Sequence, residues 1–492
     1  MKFIAIFFAC VCITTSADSQ AILGQKILMV EGYSVNTVGY PGKIVPVGQG
    51  KFAYTEFWTE GQGRKFPGYY LQGYNETMSE EWFAPVNDQG AAQLKILDIF
   101  KLKKYLVVVG NQYNPPLKRE IAHARFFSFD GKPKTGVVPL ASYDKKAKKG
   151  FEDELAISAD STKLLWWGQN PAAAAKSRQY FFSVFGDDGQ AAWKKKLFIP
   201  HAAEGYVVDQ VKVDGKGNIY LLLIFEKYTN TPKDTINLPI LVRYDFRESK
   251  FAEYKIDLTG SSIPVARIHI NQQGELCFVA VVSDGGAGGF RNGEKYFGAS
   301  LPWNKLLFKK FEITRELRLA KEYAMDIPES WVKKYGTNGA NFSRFDFLES
   351  GSQLFWIAEE FYTQEHNEQN QFLYYDIGII ALDMNQGVIS WATSFEKRQR
   401  DYNSGRMLSY IPGFANGKLR FVYLTERGAG GFISCTSVDA GTGEPAKQDL
   451  VQNKKEDFLF FPKRSSMVGG VMYLMGVGNP ASNEYKLIKV GF

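Results

Sequence analysis

The stretch Val211 to Leu223, VKVDGKGNIYLLL, decides the fold. Two apolar segments flank Asp214 to Asn218, a run with two Gly and an Asn. Gly and Asn reach the positive φ angles of tight turns, so the stretch reads as a β-hairpin. Its second strand is apolar without interruption, as in a strand covered on both faces. The same design returns at Leu155 to Trp166 (LAISADSTKLLW), Ile268 to Val281 (IHINQQGELCFVAV) and Tyr410 to Tyr423 (YIPGFANGKLRFVY). Apolar second strands are expected at Tyr105 to Val109, Leu164 to Trp167, Ile219 to Phe225, Leu276 to Val282, Leu419 to Leu424 and Val471 to Met475.

A third strand ending in Asp and a turn follows these hairpins. Examples are Phe126 to Gly131 (FFSFDG), Phe181 to Gly189 (FFSVFGDDG), Leu241 to Asp245 (LVRYD), Ile379 to Gly387 (IIALDMNQG) and Ser434 to Gly441 (SCTSVDAG). A fourth strand comes next, as at Val388 to Ala392. Copies of the unit begin near Val45, Leu94, Leu155, Val208, Val265, Phe345, Leu408 and Phe460. A period of about 50 residues signals propeller blades. The reading is all-β: a single β-propeller of eight four-stranded blades, or seven if the weak first copy folds otherwise. The last copy lacks a strand, and Lys26 to Val30 has no partner of its own. An N-terminal strand joining the last blade closes the ring and removes exposed sheet edges.

Composition agrees. Aromatic residues make up 15% and hydrophobic residues 45% of 492 residues, enough for a large strand-built core. Lys2, the apolar run Phe3 to Thr14 and the small residues Ser16 to Ala21 read as a signal peptide over 1–21, cut after Ala17 or Ala21. The chain is then exported, to a periplasmic or extracellular location, and 22–492 forms one propeller domain. No stretch reaches transmembrane length. Cys277 and Cys435 fall in different repeats and read as separate buried thiols. The formal charge of +7 is spread over loops, with Lys145 to Lys149, Lys194 to Lys196 and the trio Lys397, Arg398 and Arg400 as solvated runs. Nucleic acid is not an expected partner of an exported protein.

Ile379 to Trp391, IIALDMNQGVISW, resembles the blade repeat of quinoprotein-like propellers, in which Ala-Leu-Asp closes a strand and a Trp sits on the outer one. Phe185 to Trp193, FGDDGQAAW, is a looser copy, and Ile157 to Leu165, ISADSTKLL, resembles the first hairpin of WD40-like propellers. The resemblance holds at the level of fold and names no single family. Some quinoprotein-like members bind pyrroloquinoline quinone and oxidise alcohols or sugars, whereas others are binding scaffolds. The adjacent cysteine pair of the alcohol-oxidising members has no counterpart here, so no cofactor is expected.

Polar residues close the second strands: Glu56, Asn111, Gln169, Glu226, Asp284, Glu359, Glu426 and Asn479. At comparable heights near one mouth they form a candidate ligand ring, with Trp58, Tyr113 and Trp167 as stacking surfaces; strands also end in polar residues simply because they end at the surface. A second set, Glu154, Asp209, Arg267, His269 and Arg344, belongs to first strands lining the channel, where charges pair with one another. No Gly-x-Ser-x-Gly elbow, His-Glu-x-x-His or metal-ligand spacing occurs. GAGGF at Gly286 to Phe290 and Gly428 to Phe432 lacks the setting of a phosphate loop. The insertions Gly285 to Leu306 and Lys321 to Asn341 break the rhythm, the latter with a short helix. The expected function is an exported, non-enzymatic propeller that binds a protein, glycan or small ligand at one mouth. The alternatives are an enzyme acting on sugars or alcohols, either a quinoprotein-like oxidoreductase or a carboxylate-based hydrolase or lyase, and a structural part of an envelope assembly.

Overall fold

The computed structural model describes residues 21–29, 43–48, 51–58, 68–87, 95–114, 116–144, 152–169, 178–225, 239–257, 261–284, 289–290, 304–313, 316–336, 342–366, 369–401, 409–427, 430–451, 459–468, 470–479 and 484–492. They form eight sheets, each built on four antiparallel strands, paired in sequence order in blades one to seven. The chain is an eight-bladed β-propeller. The first strands of blades one to seven are Val45–Gly48, Lys95–Lys101, Glu152–Ile157, Tyr206–Val213, Ser261–Ile270, Phe342–Ser350 and Tyr410–Ala415. The weak first copy is thus a true blade.

Blade eight is assembled from both ends of the chain. Val471–Asn479 pairs with Glu484–Gly491, which pairs with Ala21–Met29 as the outer strand. Eight apolar clusters fill the eight gaps between adjacent blades. The gap that closes the ring joins Phe52, Tyr54 and Tyr74 of blade one to Tyr473, Met475 and Leu487 of blade eight. Second strands are covered on both sides, which explains their unbroken apolarity: Leu164 packs toward blade two and Leu165 toward blade four.

The Asp that ends a third strand is a turn residue. The Asp383 Oδ1 accepts from the backbone N–H groups of Asn385 and Gln386 at 2.8 and 2.9 Å, and Asp439 and Asp245 do the same in their blades. Aromatic residues on the outer strands then lock each turn to its neighbour. The Trp193 indole donates to the Gly217 carbonyl at 2.8 Å, and that of Trp391 to the Ala440 carbonyl at 3.0 Å. Trp82 and Tyr323 take the same place in blades one and five: their rings lie where a Cβ on Gly131 or Gly387 would sit.

Three departures from the expected pattern concern charge and insertions. Lys194 to Lys196 lie in a strand, Ala191–Leu197, where alternate residues reach a buried or an outer face. Lys397 is completely buried. The two GAGGF copies diverge: Gly289–Phe290 adds a short parallel strand to the inner edge of blade five, whereas Gly430 opens a third strand of blade seven. Lys145 to Lys149 lie outside the described residues. The helix expected in the second insertion is present at Glu329–Trp331, continued by a wider turn over Val332–Gly336.

Candidate site on the extended sixth blade

Second strands all run toward one face of the ring, the face that also carries the crossovers between blades. Most hairpin turns on the opposite face are short, those after Phe127 and Phe460 being longer. Among the described residues, blade six extends furthest on the first face. Its second and third strands, Gln353–His366 and Gln369–Asp383, are 14 and 15 residues long, against 7 for the second strand of blade four. At about 3.3 Å per residue, the segment beyond Glu360 projects roughly 20 Å from the blade.

A β-bulge marks where the blade ends and the extension begins. Glu359 faces Ile377 and Phe361 faces Tyr374, so Glu360 stands opposite both Tyr375 and Asp376. Such a bulge bends the strand and redirects its side chains. The outer strand Val388–Phe395 stops pairing at the same level, and Gln399–Asp401 resumes it against Phe372–Tyr374. Residues 396–398 span the gap. The result is a cleft of about 640 Å³ lined by Lys334, Glu360, Leu373, Tyr375, Asp376, Glu396, Arg398, Gln399 and Arg400.

The cleft is polar and mostly ion-paired. Lys334 Nζ lies 2.7 Å from Asp376 Oδ2 and donates to Ser394 Oγ at 3.0 Å. Arg398 Nε pairs with Glu396 Oε1 at 2.6 Å. The Tyr362 hydroxyl donates to Glu360 Oε1 at 2.5 Å. Burial pushes the Glu360 carboxyl above the usual range against that hydrogen bond, and the Asp376 charge adds to the rise.

The opposite side of the same strands is a buried polar knot against blade seven. Lys397 is in hydrogen-bond contact with Glu359 Oε1 and donates to Gln399 Oε1 at 2.5 Å. The Ser409 hydroxyl donates to Glu359 Oε2 at 2.5 Å and accepts from Arg344 Nη1 at 2.6 Å. Arg344 also pairs with Asp346 at 3.0 Å and stacks over the Tyr410 ring at 4.4 Å. Burial holds the Lys397 ammonium below its ordinary range, opposed by the Glu359 charge. Glu359, expected at the mouth, is wholly enclosed here.

The other ring residues are placed as follows. Glu56, Trp58, Asp284, Glu426 and Asn479 lie on second strands that run to the first face. Gln169 and Trp167 are buried, whereas Tyr113 is 36% exposed. Asn111 has a buried side-chain oxygen without a hydrogen-bond partner among the described residues. Glu226 lies outside the described residues. In the channel set, Arg267 sits 4.0 Å from Asp209 and over the Phe345 ring. His269 contacts the Glu349 carboxylate, which also accepts from the Gln272 backbone N–H at 3.0 Å. Arg344 belongs to the buried knot, and Glu154 is exposed.

Sequence reading missed Lys334, Tyr375 and Asp376 as site residues, because a bulge and an insertion from blade five's side assemble them. The visible signal was the length of the polar and aromatic run from Glu359 to Asp376. Among the described residues no group of three or more His, Cys, Asp or Glu is arranged to hold a metal ion. No described helix is long and apolar enough to cross a membrane. Cys277 and Cys435 are both buried thiols.

No family model matches the chain, and no curated protein does. Solved structures do. One is the crystal structure of polysaccharide lyase Uly1, at 10% identity over 88% of this chain and 93% of that one, with a TM-score of 0.42. A second is the PL25 ulvan lyase bound to -[GlcA(1-4)Rha3S]-, at 9% identity over 82% and 95% with a TM-score of 0.41. A third is the propeller domain of the Trilobed protease from Pyrococcus furiosus, at 9% identity over 85% and 96% with a TM-score of 0.38. These are likenesses of fold, spread over proteins of unlike function, and nothing about ligand or reaction passes from them to this chain.

Proposed function

We propose that this chain is an exported ligand-binding propeller and that its site is the cleft on the extended sixth blade, with a glycan as ligand. The observation that carries the reading is the lining of that cleft. Carboxylates, two guanidinium groups, an ammonium, an amide and a tyrosine ring surround a volume within the ordinary range for small-ligand sites, about 300–1,000 Å³. Only Leu373 contributes an aliphatic side chain. Such a wall suits a ligand dense in hydroxyl groups, which donate to carboxylates, accept from Arg and Lys, and present a flat face to Tyr375. The remaining ring residues of the same mouth, Glu56, Asn111, Asp284, Glu426 and Asn479, are proposed to extend the contact.

The test is calorimetric titration with soluble oligosaccharides, neutral and uronate-containing. A Tyr375→Ala/Arg400→Ala variant is expected to lose at least tenfold in affinity. Binding by wild type that the double variant retains unchanged places the site elsewhere. Export is checked separately: N-terminal sequencing of protein recovered from periplasm or medium is expected to begin after Ala17 or Ala21.

A further inference from the structure

We propose that the sixth-blade cleft also hydrolyses a glycosidic bond, with Glu360 as proton donor and Asp376 as the carboxylate that takes a proton from water. The inference rests on the glycan reading and adds turnover to it. Three structural facts carry it. The bulge sets two carboxyl-bearing residues opposite each other on neighbouring strands, where a regular ladder would offer Glu360 one partner. Both line one cleft of about 640 Å³, large enough for a short oligosaccharide. Each is held by a different neighbour: Tyr362 donates to Glu360, and Lys334 pairs with Asp376. Two carboxyl groups in unlike settings are the arrangement from which acid and base roles separate.

Burial, by keeping the Glu360 proton on to higher pH, favours its role as donor. Asp376 is held in place by the Lys334 ammonium at 2.7 Å. The wall of the cleft contains no Ser, Cys or His, so covalent acyl transfer through those nucleophiles has no group to start from among the described residues. A glycosidic oxygen, by contrast, needs only protonation and water. The Glu360 proton passes to the glycosidic oxygen, and the bond from that oxygen to the anomeric carbon breaks with its electron pair leaving on oxygen. A water oxygen bonds to the anomeric carbon and its proton goes to Asp376. Return of that proton to Glu360 through solvent restores the site, and one water has been added across the bond. Tyr362 and Lys334 act as positioning residues.

The experiment uses the full mature chain and two kinds of probe: unactivated oligosaccharides, neutral and uronate-containing, read by reducing ends, and the matching 4-nitrophenyl glycosides, read by nitrophenolate. Wild type is expected to turn over both. Glu360→Gln is expected to lose 100-fold or more in kcat on the unactivated sugars, and far less on 4-nitrophenyl glycosides, whose leaving group needs little protonation. Asp376→Asn is expected to lose both equally. Melting curves that match wild type confirm that the variants fold. Binding without turnover on any probe overturns the inference and leaves the glycan reading standing; neither binding nor turnover removes both. Equal losses by Glu360→Gln on the two probes overturn its role as donor.

Discussion

Lys397 and Glu359 show how far a residue's neighbours outweigh its type. Both are completely buried, and they meet in a knot with Gln399, the Ser409 hydroxyl and the nearby Arg344 guanidinium. Breaking a buried pair leaves an uncompensated charge and costs about 3–5 kcal/mol. Lys397→Met is therefore expected to lower unfolding free energy by that amount in a urea titration. Lys397→Met/Glu359→Leu is expected to recover much of it, and a single variant as stable as wild type contradicts the account. Turn aspartates behave oppositely. Backbone N–H donors hold the carboxyls of Asp383 and Asp439 below their ordinary range. A depressed folded-state value means the unfolded chain binds protons first as pH falls. Their stabilisation is present above about pH 4 and lost below it. Asp383→Asn, which keeps a turn-forming oxygen, is expected to flatten that acid-side slope.

At the scale of elements, the outer-strand aromatic and the glycine of the next blade form a repeated joint. Gly387 sits at φ +68°, and a Cβ there meets the Tyr323 ring at 2.1 Å. Both the backbone conformation and the contact reject a side chain, so Gly387→Ala is expected to cost about 1–3 kcal/mol. Gly417, at φ +72° with open space, isolates the backbone contribution and is expected to cost less as Ala. Equal losses in denaturant melts leave the joint without energetic weight. The Trp of IIALDMNQGVISW was legible in one or two repeats; its equivalents Trp82 and Tyr323 were not, because the surrounding residues differ and only packing equates them. The extended blade was misjudged for a related reason. Glu359 looked like a strand end because polar residues follow it, yet the strand runs on to His366 as a hairpin beyond the blade. Polar residues on both faces there reflect exposure and a cleft, not termination.

For the whole molecule, closure is the decisive property. Ala21–Met29 is the fourth strand of a blade whose other strands come from the opposite end of the chain. A chain truncated to begin at residue 30 is expected to expose the edge of Glu484–Gly491, melt at lower temperature and associate in size-exclusion chromatography. A monomer with unchanged melting would show that this strand does not hold the ring.

The sequence by itself determined the all-β class, a propeller of eight blades or seven, most of the hairpin turns and the N-terminal segment that closes the ring. These follow from local patterns: alternation of apolar runs with Gly, Asn and Asp turns at a fixed period. The tertiary structure alone decided which charges are buried, which aromatic residues join blades, and where a cleft forms. Those depend on residues far apart in the chain, Lys334 with Asp376 or Glu359 with Ser409, meeting across a bulge or a blade boundary that no local pattern encodes.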